Sequence, residues 1–304
     1  MRKRLLPLIA LTAAASTSFW FVSPADAVST RHFTLDNAES LGGGELDGTM
    51  VHSSGQVTVG VELARVELEG ASLAYAVARA DDGTIYVATG DAGRIYRVSG
   101  GDASAFAETG QLLVSSLIVV GDTLYAGTLP EGRIFSIRRS DGTVEELTRP
   151  EGAEHVWDLA YRDGRVYAAT GPEGKVFAID RQGRAQLYFD ADATHVMSLA
   201  FDGDILYAGT SDDAVVYRVR GPGSAEVVFD FPGNEVTALD ARDSMLAVAA
   251  NDMPAPRTAT KAKTTGGSGT PRKGKGRLWR VDSDGRAERV FSRDDGHFTS
   301  VRIG

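Results

Sequence analysis

The sequence predicts an all-β protein in which one four-stranded unit recurs, and three observations support this prediction. A short motif, usually Tyr followed by small residues, returns in steps of 39 to 42 residues. A second apolar motif follows each copy, and a third precedes each copy, at the same spacing. Three motifs that keep one period indicate a structural repeat rather than a bias in composition. The central residues of the first motif are Tyr86, Tyr125, Tyr167, Tyr207 and Ala247.

Each repeat has the pattern of short strands joined by tight turns. In the third repeat, β-branched and aromatic residues alternate or cluster over 154–162, 165–171, 175–180 and 184–190. Glycine lies in each break between them, where it supplies the positive φ that tight turns need. A four-stranded repeat of about 40 residues is typical of a β-propeller blade. A β-solenoid is the alternative, but its coils are shorter and lack a Tyr-small-small-Thr strand.

The repeats delimit five complete blades and part of a sixth. Residues 297–303 begin the sixth, and Thr49–Ser53 with Gln56–Leu68 could supply its outer strands, so that the two ends of the chain would close the ring. That mixed blade would lack its second strand. We therefore expect that the propeller region, 49–304, either closes irregularly or is a fragment of a longer propeller, and we favour the fragment. The five complete blades are predicted at 71–109, 112–150, 154–190, 194–231 and 234–294.

The first 27 residues have the composition of an export signal. Arg2, Lys3 and Arg4 precede an apolar run from Leu5 to Val22, and the stretch ends in a small-x-small site at Ala27. We expect cleavage after Ala27 and a periplasmic or secreted protein. An uncleaved membrane anchor is the alternative, since the run is nearly long enough to span. No later segment is apolar for 18 residues, so no further span is predicted, and residues 28–48 should be partly irregular.

The overall composition excludes several classes of protein. The chain has 304 residues, no cysteine and a net charge of −9, and 42% of its residues are hydrophobic. The absence of cysteine excludes thiol chemistry, Cys-ligated zinc and iron–sulfur clusters. The hydrophobic fraction excludes disorder for most of the chain. No cofactor is predicted.

Individual blades resemble those of known propeller families. Residues 195–210, which read HVMSLAFDGDILYAGT, look like the first two strands of a WD40-like or YVTN-like blade. The Tyr-x-Val ending of the third strands is similar to that of bacterial exported propellers, including quinoprotein-like ones. The resemblance covers 71–304 and implies the fold but no activity, since propellers serve binding, hydrolysis and redox chemistry alike. The only Trp-Asp pair, Trp157-Asp158, lies in a first strand, and the tryptophan-docking motif of quinoprotein dehydrogenases is missing.

Equivalent positions of the blades predict a site at the mouth of the central channel. The residue before each first-strand motif should lie at this mouth, and three of the five histidines occupy such positions. Together with Trp157, which could stack on a sugar or an aromatic group, they could bind a small ligand, a polysaccharide or a protein. They could instead form a hydrated lining or bond to backbone carbonyls. A divalent metal on the histidines is a further alternative, but its short bonds demand close convergence. The six positions are Leu73, Leu113, His155, His195, Glu235 and His297.

A basic insertion separates the second and third strands of the fifth blade. Residues 252–276 contain six cations and one acid, Asp252, which gives a net charge of +5. We predict a disordered loop on the same face as the histidines, able to capture an acidic polysaccharide, an anionic lipid or an acidic protein. A solvated loop without function is the alternative, and nucleic acid is not expected. The cations are Arg257, Lys261, Lys263, Arg272, Lys273 and Lys275.

The sequence as a whole favours an exported, non-catalytic β-propeller. We expect it to be a monomer that acts as a ligand-binding or protein-binding scaffold through its channel mouth. No catalytic residue is assigned. The alternative is a metal-assisted hydrolase or lyase at the same mouth, in which a histidine is a ligand or a general base.

Overall fold

The computed structural model of the chain describes residues 47–52, 54–60, 65–254 and 274–304. The predicted export signal and most of the basic insertion therefore lie outside the described residues. All regular elements in the described residues are strands, and no membrane-spanning helix is found among them. The chain divides into two units, Met1–Leu63 and Ala64–Gly304.

The first unit contains one small sheet. Strand β1 (Thr49–Val51) pairs with β2 (Val57–Val59) in an antiparallel hairpin, in which Thr49 lies opposite Val59. Both strands are largely exposed, and each has the other as its sheet partner.

The second unit consists of five four-stranded antiparallel sheets, and each sheet is formed by four consecutive strands. This architecture confirms the predicted fold class of four-stranded propeller blades. In chain order, the strands are β3 (Ala74–Arg79), β4 (Ile85–Thr89), β5 (Arg94–Ser99), β6 (Asp102–Glu108), β7 (Leu113–Val120), β8 (Thr123–Leu129), β9 (Ile134–Arg138), β10 (Val144–Thr148), β11 (His155–Arg162), β12 (Arg165–Gly171), β13 (Lys175–Ile179), β14 (Ala185–Asp190), β15 (Val196–Asp202), β16 (Ile205–Thr210), β17 (Val215–Gly221), β18 (Ser224–Asp230), β19 (Glu235–Arg242), β20 (Met245–Asp252), β21 (Lys275–Val281) and β22 (Ala287–Arg293).

The first strand of each blade faces a central channel. Strands β3, β7, β11, β15 and β19 follow one another around this channel, and each packs beside the next. Together with residues 299–302 they line a space of about 670 Å³. Six segments of similar sequence therefore surround the axis, and within the described ranges five of them belong to four-stranded sheets.

Successive blades are held together by apolar packing between a first strand and the preceding second strand. Leu199 on β15, for example, is 6% exposed and belongs to one core cluster with Tyr167 and Ala169 on β12. The second strands carry small residues because the blades approach closely. At Gly127 on β8, an added Cβ would overlap the side chain of Val156 in the next blade. The Ala- and Gly-rich second strands thus permit the packing of neighbouring sheets.

The predicted sixth blade is not present as a four-stranded sheet in the described residues. The 297–303 segment lies along β19, but it contains no strand. Side chains hold its backbone: Thr237 Oγ1 donates to Phe298 O over 2.6 Å, and Ile303 N donates to Asp240 Oδ2 over 2.8 Å. The proposed outer strands near the N-terminus pair with each other as β1 and β2. The sheet pairing seen in the described residues is therefore that of β1 with β2, and the closure of the ring stays a prediction.

The ends of the basic insertion are ordered parts of the fifth blade. Strand β20 continues to Asp252 and β21 begins at Lys275, and these two residues face each other across the ladder. The prediction of disorder over the whole of 252–276 was therefore wrong at its two ends. Cross-strand pairing fixes these two residues. Their charges have opposite signs and face each other across the ladder, which favours the pairing.

Candidate functional site

Two histidines meet at one end of the channel because their strands are neighbours. His155 is the first residue of β11, and His195 immediately precedes β15. Since β11 packs beside β15, the two imidazole rings approach edge to face, with their centroids 5.6 Å apart. Both side chains are half-buried. The structure therefore brings together two of the positions that the repeat predicted at the mouth.

Trp157 completes a compact cluster with these histidines. Its ring centroid lies 5.3 Å from that of His155 and 5.3 Å from that of His195. The indole Nε1–H donates a hydrogen bond of 3.1 Å to Nδ1 of His195. Since Nδ1 accepts this bond, the proton of neutral His195 resides on Nε2. We call His155, Trp157 and His195 the mouth cluster.

A β-bulge orients Trp157 within this cluster. The register of the β11–β12 ladder shifts between Val156 and Asp158, which leaves Trp157 as the extra residue. Bulges redirect a side chain and often occur beside functional sites. Every first strand has a bulge at the equivalent position, and the bulged residues all line the channel. They are Tyr75, Ser115, Trp157, Met197 and Thr237.

A glycine makes room for the imidazole of His195. Gly171 ends β12 and pairs with His155 across the ladder. An added Cβ at Gly171 would overlap Nδ1 of His195, which is the atom that accepts the bond from Trp157. The mouth cluster therefore needs a residue without a side chain at this position.

The surroundings of His195 favour its neutral form. Burial lowers the pKa of His195 below its ordinary value, and the adjacent His155 lowers it further, while Asp212 acts in the opposite direction. Asp212 itself accepts a hydrogen bond of 2.9 Å from the backbone N–H of Thr194. In the described part of the chain, the buried Nδ1 of His155 has no hydrogen-bond partner. The surface thus combines apolar ring faces with a small number of polar atoms.

Glu235 and His297 form a second part of the mouth. Glu235 begins β19 and is half-buried, whereas His297 is exposed. Burial raises the pKa of Glu235, the neighbouring His297 lowers it, and the negative charge of Asp212 raises it. Nowhere in the described residues do three or more His, Asp or Glu side chains form a group that could hold a metal ion, so His155, His195 and His297 do not converge on one point.

The basic insertion rejoins the fifth blade beside His297. Asn234 anchors its start, because its amide group accepts a hydrogen bond from Met253 N and donates one to Met253 O, both over 2.7 Å. Gly274, near the end of the insertion, lies next to Met253 and His297. Of the predicted cations, Lys275 is described and exposed. The others, which lie outside the described residues, are Arg257, Lys261, Lys263, Arg272 and Lys273.

Asp158 is a channel residue whose role the sequence analysis missed. Its carboxylate accepts hydrogen bonds from Leu199 N over 2.9 Å, from Leu159 N over 2.8 Å and from Ser116 Oγ over 3.2 Å. It therefore links three successive blades. Burial raises the pKa of Asp158 to about 6 against the opposing effect of these bonds. The available signal was an acid in the middle of an otherwise apolar first strand.

Comparison with known families places this geometry in context. The family described as outer membrane protein assembly factor BamB matches residues 64–223, which is more than half of the chain. The chain belongs to this family. The match begins before β3 and extends through β17, so it includes the mouth cluster. It also supports the resemblance to quinoprotein-like propellers that the sequence suggested.

Three solved structures have folds similar to that of this chain. The computationally designed Ika8 protein is 18% identical, with a TM-score of 0.53, and the alignment covers 83% of this chain and 70% of that one. A chain of the nidogen/laminin complex is 12% identical, with a TM-score of 0.56 and coverages of 76% and 84%. The WD40 repeats of RRP9 are 13% identical, with a TM-score of 0.54 and coverages of 75% and 69%. At these identities the likeness shows the fold alone. No curated protein matches the chain.

Proposed function

We propose that this protein is an exported, non-catalytic scaffold that binds a protein partner at its channel mouth during the assembly of outer-membrane proteins. The family description supports the biological process. The observation that carries the binding proposal is the mouth cluster, in which a half-buried indole is held between two imidazoles. Tryptophan is among the residues that contribute most to binding energy at protein interfaces.

The geometry of the mouth cluster suits recognition of a protein surface. The hydrogen bond between Trp157 and His195 fixes the indole before binding, so little side-chain entropy is lost when a partner arrives. Because His195 is neutral, binding of a partner does not have to remove water from a charged imidazolium. The ring faces can therefore pack against apolar side chains of the partner, while Nε2 of His195 donates one directional hydrogen bond.

The basic insertion supports a partner with an acidic segment beside its apolar contact. The insertion ends next to His297 and carries a net charge of +5 on a chain whose overall charge is −9. Such separation of charge attracts the partner and orients it before contact. The attraction weakens as salt concentration rises, because screening shortens its range.

Site-directed photo-cross-linking in the native cell envelope tests this proposal. A photoreactive phenylalanine analogue replaces Glu154, an exposed residue immediately before His155. The matched control carries it at Val227, which is 56% exposed on an outer strand. We expect a discrete adduct with a component of the outer-membrane assembly machinery from position 154 but not from position 227.

A second substitution tests whether the mouth cluster itself is responsible. Adding Trp157→Ala to the position-154 probe should remove the adduct, while adding Leu187→Ala, an exposed residue of β14, should leave it intact. An adduct of equal yield with and without Trp157, or identical adducts from positions 154 and 227, would contradict the proposal.

A further inference from the structure

One hydrogen bond within the mouth cluster depends on the protonation of a histidine. The indole N–H of Trp157 donates to Nδ1 of His195 over 3.1 Å, and an indole nitrogen can only donate. The bond therefore exists only while Nδ1 is unprotonated. When Nδ1 takes up a proton, two N–H donors face each other and the contact becomes repulsive. A single proton can thus remove this hydrogen bond between two blades.

The position of Trp157 in its strand makes the indole sensitive to this bond. Trp157 is the extra residue of the bulge in β11, so it has no partner in the ladder with β12. Its indole is held by the bond to His195 and by ring contacts with His155 and His195, whose centroids both lie 5.3 Å away. Without the bond, the indole can adopt another rotamer while the paired residues of the sheet stay in place.

The imidazole of His195 has little freedom to adjust to an extra proton. Its backbone is fixed on both sides, because His195 N donates to Ser211 Oγ over 3.2 Å and Ser211 N donates to His195 O over 3.0 Å. The ring itself fills the space that a side chain at Gly171 would occupy. A protonated imidazole therefore cannot keep its place beside an indole N–H that has not moved.

The groups around His195 determine when it takes up the proton. In the described residues, two titratable groups act on it, namely His155 on β11 and Asp212 in the loop after β16. Burial and His155 lower the pKa of His195, and the opposing attraction of Asp212 does not outweigh them. The neutral ring is therefore favoured at neutral pH, and protonation requires acid.

We propose that protonation of His195 releases the indole of Trp157 and thereby weakens partner binding at the mouth cluster in acid. This inference rests on the proposed function and adds its regulation. Two costs act together in acid, because the partner must order a mobile indole and must also remove water from a charged imidazolium. One pH unit below the midpoint of the His195 titration, about one tenth of the molecules keep the neutral ring, so the apparent affinity should be about tenfold weaker.

The fluorescence of Trp157 tests the release of the indole without any partner. Trp20→Phe and Trp279→Phe leave Trp157 as the only tryptophan of the chain. As the pH falls from 8, we expect its emission to change with the midpoint that NMR gives for the His195 imidazole in the same protein. In His195→Asn, an amide oxygen replaces Nδ1 as an acceptor that does not titrate, so the emission should stay constant.

Photo-cross-linking from position 154 tests the effect on binding. Isolated cell envelopes are buffered at pH values above and below the His195 midpoint before irradiation. The adduct yield should fall with the same midpoint as the emission of Trp157. In His195→Asn, the yields at the two pH values should be equal to each other, whatever their absolute size. His52→Gln, which removes an exposed histidine of the other unit, is the matched control and should keep the wild-type pH dependence.

The outcomes separate this inference from the proposed function. Emission that does not change across the His195 titration would overturn the inference, and so would an adduct yield that stays constant while the emission changes. Both results leave the proposed function intact. A pH dependence that persists in His195→Asn would also overturn the inference. An absent adduct at every pH would contradict the proposed function and the effect on binding, and the emission titration would then decide the release of the indole by itself.

Discussion

Trp157 donates its indole N–H to Nδ1 of His195 over 3.1 Å, although the two residues belong to different blades and are 38 positions apart in the chain. This bond fixes the tautomer of His195 and the orientation of the indole together. A proton can reach Nδ1 only if the bond breaks, so the bond and burial both favour the neutral imidazole.

The titration of His195 should therefore depend on Trp157. Trp157→Phe removes the donor, so we expect the pKa of His195 to rise towards its ordinary value of 6.5. The measurement is an NMR titration of the imidazole resonances. Trp279→Phe, in the fifth blade, is the control and should leave this pKa unchanged. The same pKa in the wild type and in Trp157→Phe would show that the bond does not govern the titration.

The contribution of His195 to the stability of the fold should fall on acidification. Its pKa in the folded state lies below 6.5, so the unfolded chain takes up a proton more readily. The contribution of this residue is fully present above pH 6.5 and is lost as the pH falls through the folded pKa. In urea unfolding at pH 8 to 5, the free energy of unfolding of the wild type relative to that of His195→Gln should fall as the pH falls. A difference between the two proteins that does not change with pH would contradict this assignment.

Gly171 should control the shape of the mouth cluster. Gly171→Ala places a methyl group where Nδ1 of His195 lies, so the imidazole must move and the bond to Trp157 must break. We expect a changed emission spectrum of Trp157 and loss of partner cross-linking, with a stability cost of about 1–3 kcal/mol. Gly221→Ala is the matched control, because nothing lies near its added Cβ. Wild-type emission in Gly171→Ala would refute this role.

Asp158 should make the stability of the protein decrease as the pH rises from 4 to 7. The pKa of Asp158 is 3.8 ordinarily and about 6 in the fold. The contribution of Asp158 to the free energy of unfolding is therefore greatest below pH 3.8, and it is lost as the pH rises through 6. The free energy of unfolding of the wild type relative to Asp158→Asn should fall by about 3 kcal/mol over this range. Asp243→Asn, at a side chain that is 94% exposed, serves as the control. A difference that is independent of pH would contradict the raised pKa.

Truncation at equivalent positions should have unequal effects on stability. Leu199→Ala removes a buried side chain and should cost about 2–5 kcal/mol. Val77→Ala, at the equivalent but exposed position, should change the free energy of unfolding by less than about 0.5 kcal/mol. Chemical denaturation of the two variants measures both values. Equal losses would show that the face of β3 is covered in solution.

Much of the fold could be predicted because short stretches of sequence specify the strands and turns of each repeat. Period-two apolar residues specify strands, and glycine at the turns specifies where they end, as at Asp163-Gly164 between β11 and β12. Both signals depend on neighbours in the chain. The sequence also identified His155 and His195 as equivalent positions, because a fixed period places them at the same end of adjacent strands.

The details of the candidate site could not be predicted in the same way. The bulge at Trp157, the space left by Gly171 and the hydrogen bonds to Asp158 each depend on atoms from two or three blades. Distances between atoms of different blades cannot be predicted from a pattern of neighbouring residues. The insertion also shows the limit of composition, since its polar residues predicted disorder where Lys275 pairs in a strand.

The sequence by itself determined the repeat, the all-β class and the residue types at the channel mouth. The tertiary structure alone decided which equivalent residues differ in environment. Val77 and Leu199 occupy the same place in their repeats, yet one is exposed and the other buried. The physical reason is that burial depends on the neighbouring sheet, and the sheet that covers Leu199 has no counterpart over Val77 in the described chain.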